Sequence, residues 1–180
     1  IVDLTGTAVL KYRKSGTSQI TLKVDGTLDV EKITVREITN RNHIHIISGG
    51  YDGGASTSLV YLPLTGSITE SSALTNNNEL TGFLAPYSGK LKKVVLRFSD
   101  RDPGSTVVGF HKASDASENP SATATQTVTA TPTAKDYDAT FTFTNNNSFS
   151  KGDIIAISVD PTNAAEDVNF SVVLSLNLST

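Results

Sequence analysis

The sequence predicts an all-β protein whose larger part is an antiparallel sandwich or jelly roll, and three observations carry that prediction. Apolar and polar residues alternate along short runs, the period of a half-buried strand, and no segment shows the 3.6-residue repeat of an amphipathic helix. Turn signals built from Gly, Asn, Asp and Pro interrupt these runs about every ten residues, which gives about eight strands in the C-terminal two-thirds. Hydrophobic residues make up 37% and charged residues 18% of the 180, with the difference filled by Thr, Ser, Asn and Gly. That composition suits many strands with polar outer faces, and its thin supply of core residues fits either burial gained by association of subunits or a plain sandwich.

The segment from Gly82 to Phe98, GFLAPYSGKLKKVVLRF, organises the rest. Phe83 and Leu84 are apolar, and Ala85-Pro86-Tyr87-Ser88-Gly89 then breaks the run, because proline lacks a ladder N–H and glycine tolerates positive φ. Val94, Leu96 and Phe98 alternate with Lys93, Val95 and Arg97, so one face is apolar and the other mixed or basic.

Taken in order, residues 1–48 read as short strands. Ala8, Leu10 and Tyr12 precede a turn at Ser15-Gly16-Thr17; Ile20, Leu22 and Val24 precede Asp25-Gly26. Leu28, Val30, Ile33, Val35 and Ile38 follow, then a turn at Asn40-Arg41-Asn42, then Ile44 and Ile46. Such strands need a partner surface, and the simplest is the same segment of other copies. Gly49-Gly50-Tyr51-Asp52-Gly53-Gly54 reads as a flexible joint. The expected division is a stalk or attachment segment over 1–50 and a head over 57–180.

Within the head, strands are expected at Leu59 to Leu64, Leu80 to Leu84, Leu91 to Phe98 and Val107 to Lys112. Ala122, Ala124, Val128 and Ala130 form a small-residue face, Phe141 and Phe143 alternate with threonines, and Ile155, Ile157 and Val159 form a further buried face. Val168, Phe170, Val172, Leu174, Leu176 and Leu178 alternate almost strictly with polar residues, the cleanest strand in the chain. Asn76-Asn77-Asn78, Ser99 to Gly104, Asp115 to Pro120 and Asn145-Asn146-Asn147 are the intervening loops and turns.

Two resemblances extend this reading. The run TLDVEKITVREITNRNHIHIISGG resembles the stalk repeats of phage fibre and virion structural proteins, which implies three chains wound into a triangular β-prism or triple β-helix. GFLAPYSGKLKKVVLRF resembles the F-x-A-P-x-x-G-x-(apolar) signature of jelly rolls of the tumour-necrosis-factor and complement type. SFSKGDIIAISVD resembles their later K-G-D element, and the last alternating strand falls where theirs does. The same order of elements is found in fibre tips of marine phages, and the resemblance implies a compact homotrimer. The sequence departs from the complement-type heads in having only 7% aromatics and no Trp.

A net charge of −3 and the absence of a basic stripe argue against nucleic acid as a partner. No apolar run approaches the ~20 residues that a helix needs to cross a bilayer, so membrane insertion is not expected. No signal-peptide pattern is visible, the opening at Ile1 points to a processed, trimmed or partial chain, and there is no Cys for a disulfide.

His43-Ile44-His45 is the sharpest candidate site. On a strand, residues i and i+2 share a face, and imidazole suits first-row transition metals. The stalk resemblance implies two such groups from each of three chains, a transition-metal site on the trimer axis held by His43 and His45. The alternative is a pair of solvent-facing histidines with Ile44 and Ile46 buried. His111, beside Lys112, reads as a surface residue rather than a catalyst, and no nucleophile–His–acid spacing is visible. Asp100 and Asp102 read as a turn rather than a calcium loop, as do Asp115 and Glu118. Lys90, Lys92, Lys93 and Arg97 form a basic patch, a solvated strand face or a contact for anionic glycans.

The expected function is therefore that of a non-enzymatic structural component of a phage virion surface: a head fibre, a decoration or a tail-fibre tip. Its expected partners are itself as a homotrimer, other virion proteins and a host surface glycan, and its expected place is the virion. The alternative is a carbohydrate-binding module of a secreted protein, against which the lack of Trp counts. A polysaccharide-cleaving enzyme would need a paired-carboxylate cleft, and the carboxylates here lie scattered in turns.

Overall fold

A computed structural model describes residues 13–14, 17–18, 42–51, 57–65, 81–99, 102–113, 120–132, 137–163 and 167–178. The chain divides into two compact units, Ile1–Glu37 and Ile38–Thr180. In the first, β1 (Arg13–Lys14) pairs antiparallel with β2 (Thr17–Ser18). The other short strands expected before residue 42, and with them the expected stalk, lie outside the described residues.

The second unit is all-β among the described residues. In order, its strands are β3 (Asn42–Tyr51), β4 (Val60–Tyr61), β5 (Phe83–Leu84), β6 (Gly89–Phe98), β7 (Thr106–Ala113) and β8 (Gln126–Ala130). Then come β9 (Asp138–Thr142), β10 (Ser148–Phe149), β11 (Ile154–Pro161) and β12 (Val168–Asn177). They form two antiparallel sheets. The first runs β3-β12-β6, with β9 and β10 end to end along the far side of β6. The second runs β8-β7-β11, with β4 and β5 end to end along the far side of β11. If β4 with β5, and β9 with β10, count as one position each, the sheets hold positions first-eighth-third-sixth and second-seventh-fourth-fifth. That is the strand order of a jelly roll, in which successive strands cross repeatedly between the sheets.

The inward faces supply the core. Val168, Phe170, Val172, Leu174 and Leu176 of β12 meet Leu91, Val94, Leu96 and Phe98 of β6 across the ladder, and Phe141 of β9 joins them. The second sheet contributes Val108, Phe110, Ile155, Ile157 and Val159, with Leu62 beside them. Leu91 and Val94 both face inward although they are three residues apart, which a strict period of two forbids. The register shifts between Val173 and Leu174, which pair with Lys93 and Leu91 and leave Lys92 as the extra residue of a bulge. Asn147 secures this point: Leu91 donates its N–H to the Asn147 carbonyl (2.9 Å), and the buried Asn147 Nδ2 donates to the Leu91 carbonyl (2.7 Å) and the Phe143 carbonyl (3.0 Å).

The expected boundary near residue 50 is corrected. Residues 42–51 are not stalk but β3, paired with β12 along its whole length from Asn42 opposite Asn177 to Tyr51 opposite Val168. Gly49 and Gly50 lie inside that strand. A Cβ on Gly49 would stand 2.7 Å from Cζ of Phe170, so the glycine admits the ring rather than loosening the chain.

Candidate functional site

Three places carry the chemistry that the sequence singled out: the edge strand β3, the outer side of β6, and the buried face of β7 against β11.

On β3, His43 and His45 stand opposite Leu176 and Leu174, and so share the side of the sheet that faces the core. Ile44 and Ile46 stand opposite Ser175 and Val173, on the outer side, and are 53% and 56% exposed. The common face of the two histidines is thus present, and the reading in which Ile44 and Ile46 are buried is corrected. The isoleucines are exposed, His43 is exposed, and His45 is half-buried with its ring stacked on Phe83 (centroids 5.8 Å apart, planes 25° apart). Among the described residues no three His, Cys, Asp or Glu side chains come together as a metal-binding group. One chain therefore offers two imidazoles on one face, fewer ligands than a metal site needs by itself.

On β6, Lys90, Lys93 and Arg97 stand opposite Ser175, Val173 and Asn169 on the outer side, and Lys92 projects from the bulge; all four are exposed. Thr140 and Thr142 of β9 stand opposite Val95 and Lys93, so hydroxyl groups border the cations. Asp102 takes its expected place in a turn, where it accepts the Gly104 N–H at 2.8 Å and Gly104 adopts a φ of 65°. Asp100, Asp115 and Glu118 lie outside the described residues.

His111 corrects the sequence reading most sharply. It is not a surface residue but is 1% exposed, on the outer side of the second sheet beneath the 121–125 segment. Nδ1 lies 2.8 Å from the Ser121 carbonyl and Nε2 lies 2.8 Å from Ser158 Oγ. A carbonyl only accepts, so Nδ1 carries the proton and Nε2 accepts from the Ser158 hydroxyl. The Tyr61 ring meets the imidazole edge-on at 5.3 Å. Burial lowers the His111 pKa, with the hydrogen bond to Ser121 opposing, and burial raises that of Tyr61. The segment above is held further by the Thr125 N–H donating to the Phe110 carbonyl at 2.7 Å.

A serine hydroxyl on an imidazole nitrogen is the pairing of a nucleophile with its base. Here both groups are buried, and the second ring nitrogen is oriented by a backbone carbonyl rather than a carboxylate. The arrangement pins a covering segment to a sheet. Gly109 leaves room for the pair: a Cβ there would stand 2.5 Å from Ser158 Oγ and 2.9 Å from His111 Nε2.

No family model matches this chain, and no curated protein matches it. Solved structures do. One belongs to the disulfide-linked pili of Bacillus endospore appendages, at 14% identity and a TM-score of 0.36, over 82% of this chain and 100% of that one. Another is a chain of infectious bursal disease virus Gx strain, at 11% identity and a TM-score of 0.35, over 86% of this chain and 36% of that one. At these scores the likenesses bear on neither function nor partner.

Proposed function

We propose that this chain is a non-enzymatic structural protein of a phage particle, displayed on the virion surface as a head fibre, decoration or tail-fibre tip. It attaches to the particle or contacts a host glycan there. The observation that supports the reading most is the jelly roll itself. The segments that resemble phage-tip and complement-type heads run through its second and third, its sixth and seventh, and its eighth strand positions, with the core on their apolar faces. The outer side of the first sheet adds a rigid exposed face on which Lys90, Lys92, Lys93 and Arg97 stand among serines and threonines, suited to an acidic glycan.

The reading includes association of copies, three to an assembly as the N-terminal resemblance implies. It also includes a transition metal at His43 and His45 of converging copies, where imidazole nitrogens would supply the ligands. Immunogold labelling of purified phage particles whose genome encodes the chain tests the main claim. Label on the particle surface is expected, and unlabelled particles would refute it. Elemental analysis of the purified assembly, with His43→Ala and His45→Ala as the control, tests the metal.

A further inference from the structure

Among the described residues the sandwich guards most of its edges and leaves one open. At the edges of the second sheet, β4 and β5 have 2 residues each and run into Pro63 and Pro86, and β8 has 5 residues and runs into Pro132. On the far side of the first sheet, β9 has 5 residues and opens with Asp138, and β10 has 2. Short length, proline and charge are the devices by which sheets avoid unwanted pairing. The remaining edge, β3, has none of them. It is 10 residues long, carries no Lys, Arg, Asp, Glu or Pro between Asn42 and Tyr51, and among the described residues pairs with β12 alone. On its outer side it exposes Ile44 and Ile46, next to the half-buried Val173.

We propose that β3 pairs edge to edge with β3 of a second copy of this chain, antiparallel about a two-fold axis set at His45. Three observations select a copy of itself. A strand without Lys, Arg, Asp or Glu meets its own copy with none of those charges opposed, a condition that a strand bearing lysine or aspartate would not meet. A two-fold axis normal to the sheet makes the pair antiparallel and keeps outer face with outer face. The exposed apolar residues then complement one another in one register. With His45 opposite the second copy's His45, each Ile44 stands opposite the other copy's Ile46, and the isoleucines meet on the outer side. An axis at Ile46 would instead set Ile44 opposite Ser48, and one at Ile44 would set Ile46 opposite Asn42. The pairing joins the first sheets of two heads into one continuous sheet. It does not rest on the virion reading, and because it sets His45 on a two-fold axis it stands in place of a three-fold metal site at His43 and His45.

The sequence contains no Cys, so introduced thiols report without background. Ile44→Cys and Ile46→Cys alter exposed side chains and are suited to oxidation in the full chain. Directly opposed residues of an antiparallel pair have Cα atoms about 4.5–5.5 Å apart, within disulfide range, whereas diagonal positions lie about 7–8 Å apart and beyond it. Under mild oxidation, a mixture of the Ile44→Cys and Ile46→Cys proteins is expected to give a covalent dimer on non-reducing electrophoresis, and neither protein alone is expected to do so. His45→Cys is expected to link to itself. No cross-link in the mixture or in His45→Cys would overturn the pairing and leave the edge to a different partner. Ile46→Cys linking to itself as readily as to Ile44→Cys would overturn the register and the proposal with it. A chain present on particles that fails to cross-link refutes this inference alone; a chain absent from particles that does cross-link refutes only the virion reading.

Discussion

Gly152 donates its N–H to the carbonyl of Ala85 at 2.9 Å, a bond that joins two segments far apart in sequence. Ala85 answers by donating to the Asp153 carbonyl at 2.8 Å, and Lys151 N–H reaches Ser88 Oγ at 3.0 Å. The break after β5 and the turn before β11 are therefore one structural unit. Asp153 closes it, accepting the Ser150 N–H on Oδ2 at 2.8 Å. The A-P-x-x-G and K-G-D patterns occur together because each satisfies the other's backbone.

Gly152 has a φ of 89°, a conformation that costs an L side chain about 1–2 kcal/mol. Gly152→Ala is expected to lower stability by about that amount in urea unfolding, whereas Lys151→Ala, at an exposed neighbour, is expected to change it by less than about 0.5 kcal/mol. Equal effects would mean that the turn geometry is not what the glycine supplies.

Leu174 is fully buried and Val173, its neighbour on β12, faces outward. Leu174→Ala is expected to cost about 2–5 kcal/mol, and Val173→Ser less than about 1 kcal/mol. Equilibrium denaturation of the two variants checks the facing of the strand.

His111 titrates in the folded state below its unfolded value because burial disfavours the imidazolium. Between the two values the unfolded chain binds more protons, so stability rises with pH there. The contribution is fully present above the ordinary histidine value of about 6.5 and is lost as pH falls below it toward the folded value. Unfolding free energies between pH 7.5 and pH 5 are expected to decline with a slope of up to about 1.4 kcal/mol per pH unit from this group. His111→Gln is expected to be less stable at pH 7.5 and to show a shallower slope. An unchanged slope would mean that the imidazole is not the group responsible.

Gly109→Ala places a methyl group against Ser158 Oγ and His111 Nε2, and overpacking of this kind typically costs about 1–3 kcal/mol. Ser158→Ala removes the closer atom. The double variant is expected to lose less than the sum of the single losses, a coupling that a double-mutant cycle of unfolding free energies measures. Simple additivity would show that the methyl finds room elsewhere.

The sequence by itself determined the class of fold and which side of most strands is buried. Alternation is a local property: once Val168 to Leu176 are extended, their odd and even side chains must part, whatever sheet they join. The same holds for Phe141 with Phe143 and for Ile155 with Ile157, all of which are buried as the pattern requires. Tertiary structure decided what covers each face and where the unit begins. Gly49 and Gly50 read as a hinge because glycine lowers the cost of disorder; only the Phe170 ring above Gly49 shows that the missing side chain makes room. His111 reads as a surface residue because nothing adjacent in sequence hides it. Its cover and its partners, Ser121 and Ser158, are 10 and 47 residues away, and burial is set by those approaches. The exposure of Ile44 and Ile46 has the same origin. Pairing with β12 turned the histidines toward the core side of the sheet, and the period of two then left both isoleucines facing out.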